Sequence, residues 1–263
     1  MKNHLSHLLT SFSPYFLLIT LLLAPFSSLE VSAKGPKGDA VAYPIKGEYH
    51  KLIVSSAFDV SFSDNVKEAM VTVPERFQKQ VVVELDKGVL RIAVRGKVKF
   101  KKRPTIVLPL NKKLIDIELS GAATLTTGKL ECEEMAIYLT GAAKFRGDIV
   151  AKVVHIEQAG ASDYRGHLSV ENLFLNLSAA STMEIRGRAF FKMEVKMIEA
   201  SSLDAEKFEA RRIEGSLDGA SNAVFWCTER MVVPVRNASH LIYIGRPLVV
   251  NCPTSDVSTV THK

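Results

Sequence analysis

Glu118 and Glu157, with Tyr138 midway between them, are the residues of this chain best spaced for acid–base chemistry. If they project from turns of a regular β structure, side chains two turns apart start about 10 Å apart, at ~4.8 Å per turn. That suits an inverting carboxylate pair, in which one carboxyl protonates the leaving oxygen and the other activates water. The positions that continue the series are Asn176, Met197 and Ser216, so no acidic cluster forms, and solvated charges on a strand face are the simpler reading. His155, His167 and His240 fall at unrelated positions, as do Asp64, Asp204 and Asp218. No Ser/His/Asp set can be assembled, so no catalytic residue is assigned. No metal-ligand spacing, phosphate-cradling glycine loop or calcium-binding nonapeptide occurs either, and no metal or other cofactor is expected.

The candidate binding residues are basic. Arg146, Arg165 and Arg186 each precede a glycine at similar spacing, and would stack into a short solvent-facing ladder. Guanidinium groups so placed could take sulfate, uronate or phosphate groups bidentately. Repulsion between like charges one turn apart opposes this, and arginine is ordinary at an exposed turn. Arg95-Gly96-Lys97-Val98-Lys99-Phe100-Lys101-Lys102-Arg103 alternates charge with apolar residues and reads as an edge strand. Lysines on such an edge block unwanted pairing; contact with a glycan or anionic lipid surface is the alternative. Of the three cysteines, Cys132 falls in an apolar column and reads as a small buried hydrophobe. Cys227 and Cys252 could pair in an oxidising compartment, but nothing in the sequence establishes the bond.

The elements that must position these groups come from a repeat. A tetrapeptide of small residues recurs seven times: Ser120-Gly121-Ala122-Ala123, Thr140-Gly141-Ala142-Ala143, Ala159-Gly160-Ala161-Ser162, Ser178-Ala179-Ala180-Ser181, Glu199-Ala200-Ser201-Ser202, Asp218-Gly219-Ala220-Ser221 and Arg236-Asn237-Ala238-Ser239. Its third residues fall at 122, 142, 161, 180, 201, 220 and 238, steps of 20, 19, 19, 21, 19 and 18. A fixed period of this kind marks a stacked solenoid. Before each copy, Leu119, Leu139, Gln158, Leu177, Ile198, Leu217 and Val235 align, with Ile117, Ile137, Ile156, Leu175, Lys196, Gly215 and Val233 two residues earlier. The positions between them are mostly polar, which is the period of a half-buried strand. Leu125, Phe145, Tyr164, Met183 and Leu241 suggest a second strand after the motif; Leu130, Ile149, Leu168 and Phe208 suggest a third. Thr127-Gly128, Arg146-Gly147, Arg165-Gly166 and Arg186-Gly187 mark the turn between those two, where glycine would permit positive φ.

The pattern predicts an all-β, right-handed, three-sided parallel β-helix, right-handed because parallel crossovers are so by default. The tetrapeptide would be a cramped corner, and Leu at Ala142 or Ala161 would overpack it. Residues 1–33 carry an apolar run ending in Val31-Ser32-Ala33 and read as a secretory signal peptide. Residues 34–44 then form a linker, 45–110 a β-rich N-terminal cap, 111–250 the repeats and 251–263 a C-terminal tail. Removing 1–33 deletes one lysine, Lys2, and one glutamate, Glu30, so the net charge of +6 is retained. Such mild basicity is ordinary solubilising charge, with at most a weak preference for anionic partners. No transmembrane anchor is expected after cleavage.

Several motifs together carry a family likeness. Leu52-Ile53-Val54-Ser55-Ser56-Ala57-Phe58-Asp59-Val60, Gly88-Val89-Leu90-Arg91-Ile92, the recurring small corners and Ile242-Tyr243-Ile244-Gly245-Arg246-Pro247 follow in order. In this the chain resembles the head GIN domain family, described as auto-transporter adhesins, over about residues 45–258. The corners at Glu199 and Arg236 lack the usual glycine, and Arg246 stands where the family often has Asn. The resemblance implies a β-helix exported to the periplasm or cell surface, with adhesion to a glycan, surface polymer or protein partner, or self-association, and no catalytic residues. A polysaccharide lyase or glycosidase on the same scaffold, and a structural or signalling-linked periplasmic module, are the competing functions. Nucleic acid is not an expected partner of an exported protein.

Overall fold

The computed structural model describes residues 40–263, so the expected signal peptide and residues 34–39 of the expected linker lie outside it. The chain is 62% strand and 2% helix and forms a β-solenoid of about eight turns. Eighteen strands follow in order: β1 (Ala40–Tyr43), β2 (Lys51–Val54), β3 (Asp59–Ser63), β4 (Ala69–Thr72), β5 (Val81–Asp86), β6 (Val89–Val94), β7 (Thr105–Pro109), β8 (Asp116–Leu119) and β9 (Thr124–Glu131). Then come β10 (Glu134–Leu139), β11 (Lys144–Gln158), β12 (Asp163–Leu177), β13 (Thr182–Met197), β14 (Ser202–Leu217), β15 (Asn222–Val232), β16 (His240–Ile244), β17 (Val249–Asn251) and β18 (Thr259–His262). A four-residue helix, α1 (Glu75–Gln78), interrupts the N-terminal strands.

Each rung has three faces. The first precedes the small tetrapeptide and stacks β8, β10 and the C-terminal parts of β11 to β14 in parallel register. The second and third faces follow, and the long strands bend from one to the next without a break: in β11, residues 144–146 lie on the second face, 148–151 on the third and 153–158 on the first face of the next rung. Alternation along each strand sends one side chain in and the next out. Ile117, Ile137, Ile156, Leu175 and Val195 therefore stack in one buried column, and Leu125, Phe145, Tyr164, Met183 and Leu203 in another. Phe145 and Tyr164 stack face to face at 4.9 Å.

The cramped corner is real, but its inward residue is the fourth of the tetrapeptide, not the third. Ala123, Ala143, Ser162, Ser181, Ser201, Ser221 and Ser239 are wholly buried, whereas Ala142 and Ala161 are exposed. The reason is the second residue, which adopts left-handed backbone in every copy (Gly121, Gly141, Gly160, Ala179, Glu199, Gly219 and Asn237) and turns its successor outward. The copy at the fifth corner is accordingly Ile198-Glu199-Ala200-Ser201, one residue earlier than the sequence alignment placed it. Met197 is inside and Ile198 and Lys196 are outside. From Ser162 onward the buried residue is serine; the Ser221 hydroxyl bonds the corner backbone, donating to Asp218 O at 2.6 Å or Glu199 O at 2.9 Å, whereas the Ser181 hydroxyl has no partner in the protein.

Three further expectations change. The glycines of the second turn are not needed for positive φ, which only Gly187 adopts there. Gly147, Gly166 and Gly187 permit close approach instead, a Cβ on Gly166 lying 2.0 Å from the Gly147 carbonyl oxygen, whereas a Cβ on Gly128 would meet open space. The basic stretch 95–103 is irregular chain rather than an edge strand. It is held by Phe100 packing edge-on against Phe77 at 5.3 Å and by Arg103, which reaches Asp59 Oδ1 at 2.8 Å and Thr124 Oγ1 at 3.0 Å. Residues 40–43, expected in the linker, form β1.

The parallel ladder takes in β2 and β3, which pair with β8 and β9, and at the far end β18, which pairs with β16. Left-handed corners recur there too, at Ser56 and Asp256. Beyond β2 and β3 lie β6 and β7, again parallel, and then β5, β4 and β1 in antiparallel pairing. The N-terminal end is thus closed by reversed strands, and Phe58 fills the corner position that Ala123 occupies one rung on. Cys132, Cys227 and Cys252 are all free thiols.

Ala143→Leu overpacks the buried column and is expected to cost roughly 1–3 kcal/mol, whereas Ala142→Leu, one residue away and exposed, should stay within about 0.5 kcal/mol of the parent. Urea midpoints of the two variants check this. Tyr164 is wholly buried with its hydroxyl unpartnered in the protein, and burial pushes its pKa far up. Tyr164→Phe is therefore expected to unfold no earlier than the parent, since it deletes an unsatisfied polar group.

Candidate functional site

The outer side of the first face gathers the chain's most varied chemistry. Register stacks Glu118, Tyr138, Glu157, Asn176, Lys196 and Ser216 in one outward column. Glu118 and Glu157 thus stand two rungs apart with Tyr138 between them, but the column continues through Lys196, not Met197. The neighbouring column holds Lys51, Asp116, Ala136, His155, Phe174 and Glu194. Lys51 Nζ lies 3.2 Å from Asp116 and 3.3 Å from Glu118. Partial burial opposes the lysine's charge, but the hydrogen bonds and charges of Asp116 and Glu118 outweigh it and hold its pKa above the ordinary value. Partial burial, then the charges of Glu157 and Asp116, raise the Tyr138 phenol.

Aromatic rings interleave with these charges. The His155 ring stacks on Phe174 at 4.6 Å and 8° between planes, and Lys192 Nζ covers Phe174 at 5.4 Å. His155 Nε2 lies 3.9 Å from Glu134 Oε1. Chemically this face can stack on a ligand ring and accept hydrogen bonds at several carboxylates. Glu118 is engaged by Lys51, which suits a carboxylate held ionised and not a proton donor. No group of three His, Cys, Asp or Glu side chains able to hold a metal occurs among the described residues.

The arginine corner lies on the second face. Arg146 and Arg165 are in register, but the third position of their column is Glu184, and Arg186 sits opposite His167 instead. The bulge that separates Glu184 and Arg186 from the next rung shows that the corner widens here. Acids interleave with all three guanidinium groups. Arg146 pairs with Asp163; Arg165 lies 3.6 Å from Asp163 and 3.8 Å from Glu184; Arg186 lies 2.8 Å from Glu184. The repulsion anticipated between stacked arginines is relieved in this way.

A third feature escaped the sequence reading. At the corner between third and first faces β11, β12 and β14 spend one residue (Lys152, Glu171, Arg211), but β15 spends two, Thr228 and Glu229, and β13 likewise two, Phe190 and Phe191. This bulge exposes both rings, 44% and 53%, as a ledge over an open cleft of about 740 Å³ floored by Val150, Ala151 and Val170. Cys132 also lines the cleft, and burial, then the Glu134 charge, raise its thiol pKa, so it is not a ready thiolate. With the fifth corner placed at Ser201, the step from Ser181 is 20 residues, the same as from Ala123 to Ala143, so corner spacing does not single out this insertion.

Residues 48–247 match the family model described as "Putative auto-transporter adhesin, head GIN domain". The chain belongs to this family. Its head GIN fold is shared with a "putative adhesin" from Parabacteroides distasonis ATCC 8503, at TM-score 0.77 and 18% identity, covering 86% of this chain and 98% of that one. A "putative adhesin" from Parabacteroides merdae ATCC 43184 superposes at TM-score 0.77 and 14% identity over 86% of this chain and 97% of that one. A "Putative lipid binding protein" from Parabacteroides distasonis ATCC 8503 does so at TM-score 0.75 and 17% identity over 86% and 98%. At these identities the likeness is one of fold. No curated protein matches the sequence.

The hydrogen bond from Arg186 holds the Glu184 carboxyl below the ordinary carboxylate range; slight burial opposes it, and the charges of Arg186, Arg165 and Lys207 add to it. Arg186→Gln should raise the Glu184 pKa in an NMR titration of its side-chain carboxyl. Any stability from a depressed carboxyl is present above its unfolded pKa and lost as pH falls through the folded one. Acid should therefore weaken the corner less in the variant.

Proposed function

We propose that this head GIN protein is exported to the periplasm or cell surface and holds a partner there without catalysis. The observation that carries the reading is the first face, where Tyr138, His155 and Phe174 alternate with carboxylates on three consecutive rungs of a rigid ladder. A fixed row of this kind binds an extended partner through repeated weak contacts, and a second molecule would multiply them. The family description as an adhesin and the names of the structural neighbours support the same reading. A glycan or surface polymer suits the polar character of the row. Export accords with the apolar N-terminal run, and no helix among the described residues is long and apolar enough to cross a membrane.

A second reading rests on the arginine corner. Arg165 and Arg186 are 58% and 57% exposed in their side chains, so a sulfated or uronate polymer could reach them by displacing Glu184. Asp163 and Glu184 compete for the same donors, which makes this the weaker site.

The test is a glycan array with the leader-free chain, scored for both retention and degradation. Retention with no degradation is expected. Degradation that vanishes in Glu118→Gln or Glu157→Gln would instead establish an enzyme. Loss of anionic-polymer retention in Arg165→Glu would assign that ligand to the arginine corner, and unchanged retention would remove the corner from consideration.

A further inference from the structure

We propose that the outer side of the first face contains a notch over Ala136 that holds one ring of an uncharged glycan; this rests on reading that face as a binding face. Ala136 stands in register between Asp116 on one rung and His155 on the next but one from it. Two rung spacings separate those flanking strands by about 10 Å. A lone methyl group between two larger side chains leaves a gap one rung deep, which is the thickness of a saturated sugar ring.

The walls suit such a ring. His155 forms one side, and its far side is backed by Phe174 in nearly parallel contact, so its free side is turned toward Ala136. Lys192 covers Phe174 in turn, leaving His155 as the accessible end of the stack. The C–H side of a pyranose ring packs on an aromatic surface of this kind. Around the notch, Glu134 and Tyr138 flank Ala136 on the same strand face, and Glu118 and Glu157 stand diagonally across it. Carboxylates accept hydrogen bonds from ring hydroxyls, and the phenol can donate or accept.

Charge selects the sugar. Lys51 is one cation set against Asp116, Glu118, Glu134 and Glu157, and two of those acids already hold it. A uronate or sulfated ring would meet this negative field unfavourably. The notch and the arginine corner, on different faces, therefore suit different classes of ligand, uncharged at the notch and anionic at the corner.

Calorimetric titration of the leader-free chain tests this with laminarin, mannan and N-acetylchitohexaose as uncharged probes, heparin and polygalacturonate as anionic ones, and chitosan oligomers as cationic ones. At least one uncharged probe should bind. Ala136→Phe fills the notch while continuing the aromatic stack, so the fold is kept and affinity should drop at least roughly tenfold. His155→Ala should lose roughly three- to tenfold, the range of an aromatic contact, and Arg165→Glu should change nothing. Binding that survives Ala136→Phe overturns the site, as does binding of the cationic probes alone. If only anionic probes bind, the notch fails while the surface-binding function stands; if no probe and no surface polymer is retained, both fail.

Discussion

Successive rungs can hydrogen-bond along their whole length only if the corner between first and second faces brings backbone against backbone. At Gly141 a Cβ would lie 2.8 Å from the Gly121 carbonyl oxygen, and at Gly160 2.7 Å from that of Gly141. The amide nitrogens of Ala142 and Ala161 use the same approach to bond those carbonyls, at 2.6 and 2.7 Å. Any rung whose corner cannot fold this tightly would stand off from its neighbour and break three parallel ladders at once. The left-handed residue, the buried alanine or serine after it and the single-residue outward turn between them are all consequences of that one approach.

Where glycine is missing, other interactions meet the same demand. Ala179, Glu199 and Asn237 take the left-handed conformation at a steric cost that glycine avoids. Around them the corner is stitched by serine hydroxyls and by Asn237, whose Nδ2 donates to Asp218 Oδ1 at 2.6 Å. Gly215 marks a comparable contact on the first face, since a Cβ there would meet the Val195 carbonyl oxygen at 1.7 Å. At rung β13 the small Gly187 stands opposite Leu168 and Phe208, and the large phenylalanine takes up the volume that glycine leaves.

The repeat, the three faces and most buried columns were legible in the sequence because period-two burial and a recurring small corner both leave regular marks. What was not legible depends on single-residue offsets. The tetrapeptide alone does not say which of two adjacent small residues points inward; that depends on the backbone conformation of the residue before them. At the fifth corner Ser201 and Ser202 are both small, so the alignment sets the copy one residue late, which exchanges Met197 with its neighbours. Arg186 left the arginine column because it stands five residues after the buried corner serine Ser181, whereas Arg165 stands three after Ser162, so in unbroken register Glu184 takes the position opposite Arg165. The face holding Glu118, Tyr138 and Glu157 was legible in part, but His155, Phe174 and Lys51 joined it only through lateral register, which spacing along the chain does not reveal.

The interleaved order of the N-terminal rungs has a mechanical consequence. Since β2 and β3 lie between β6 and β7 on one side and β8 and β9 on the other, that rung cannot be peeled off from an open end. Tension applied at the C-terminus would strip the coils singly, each yielding in sequence, until it met this clasp. There two flanking layers would have to shear together, so the rod resists pulling most firmly at the end nearest its start.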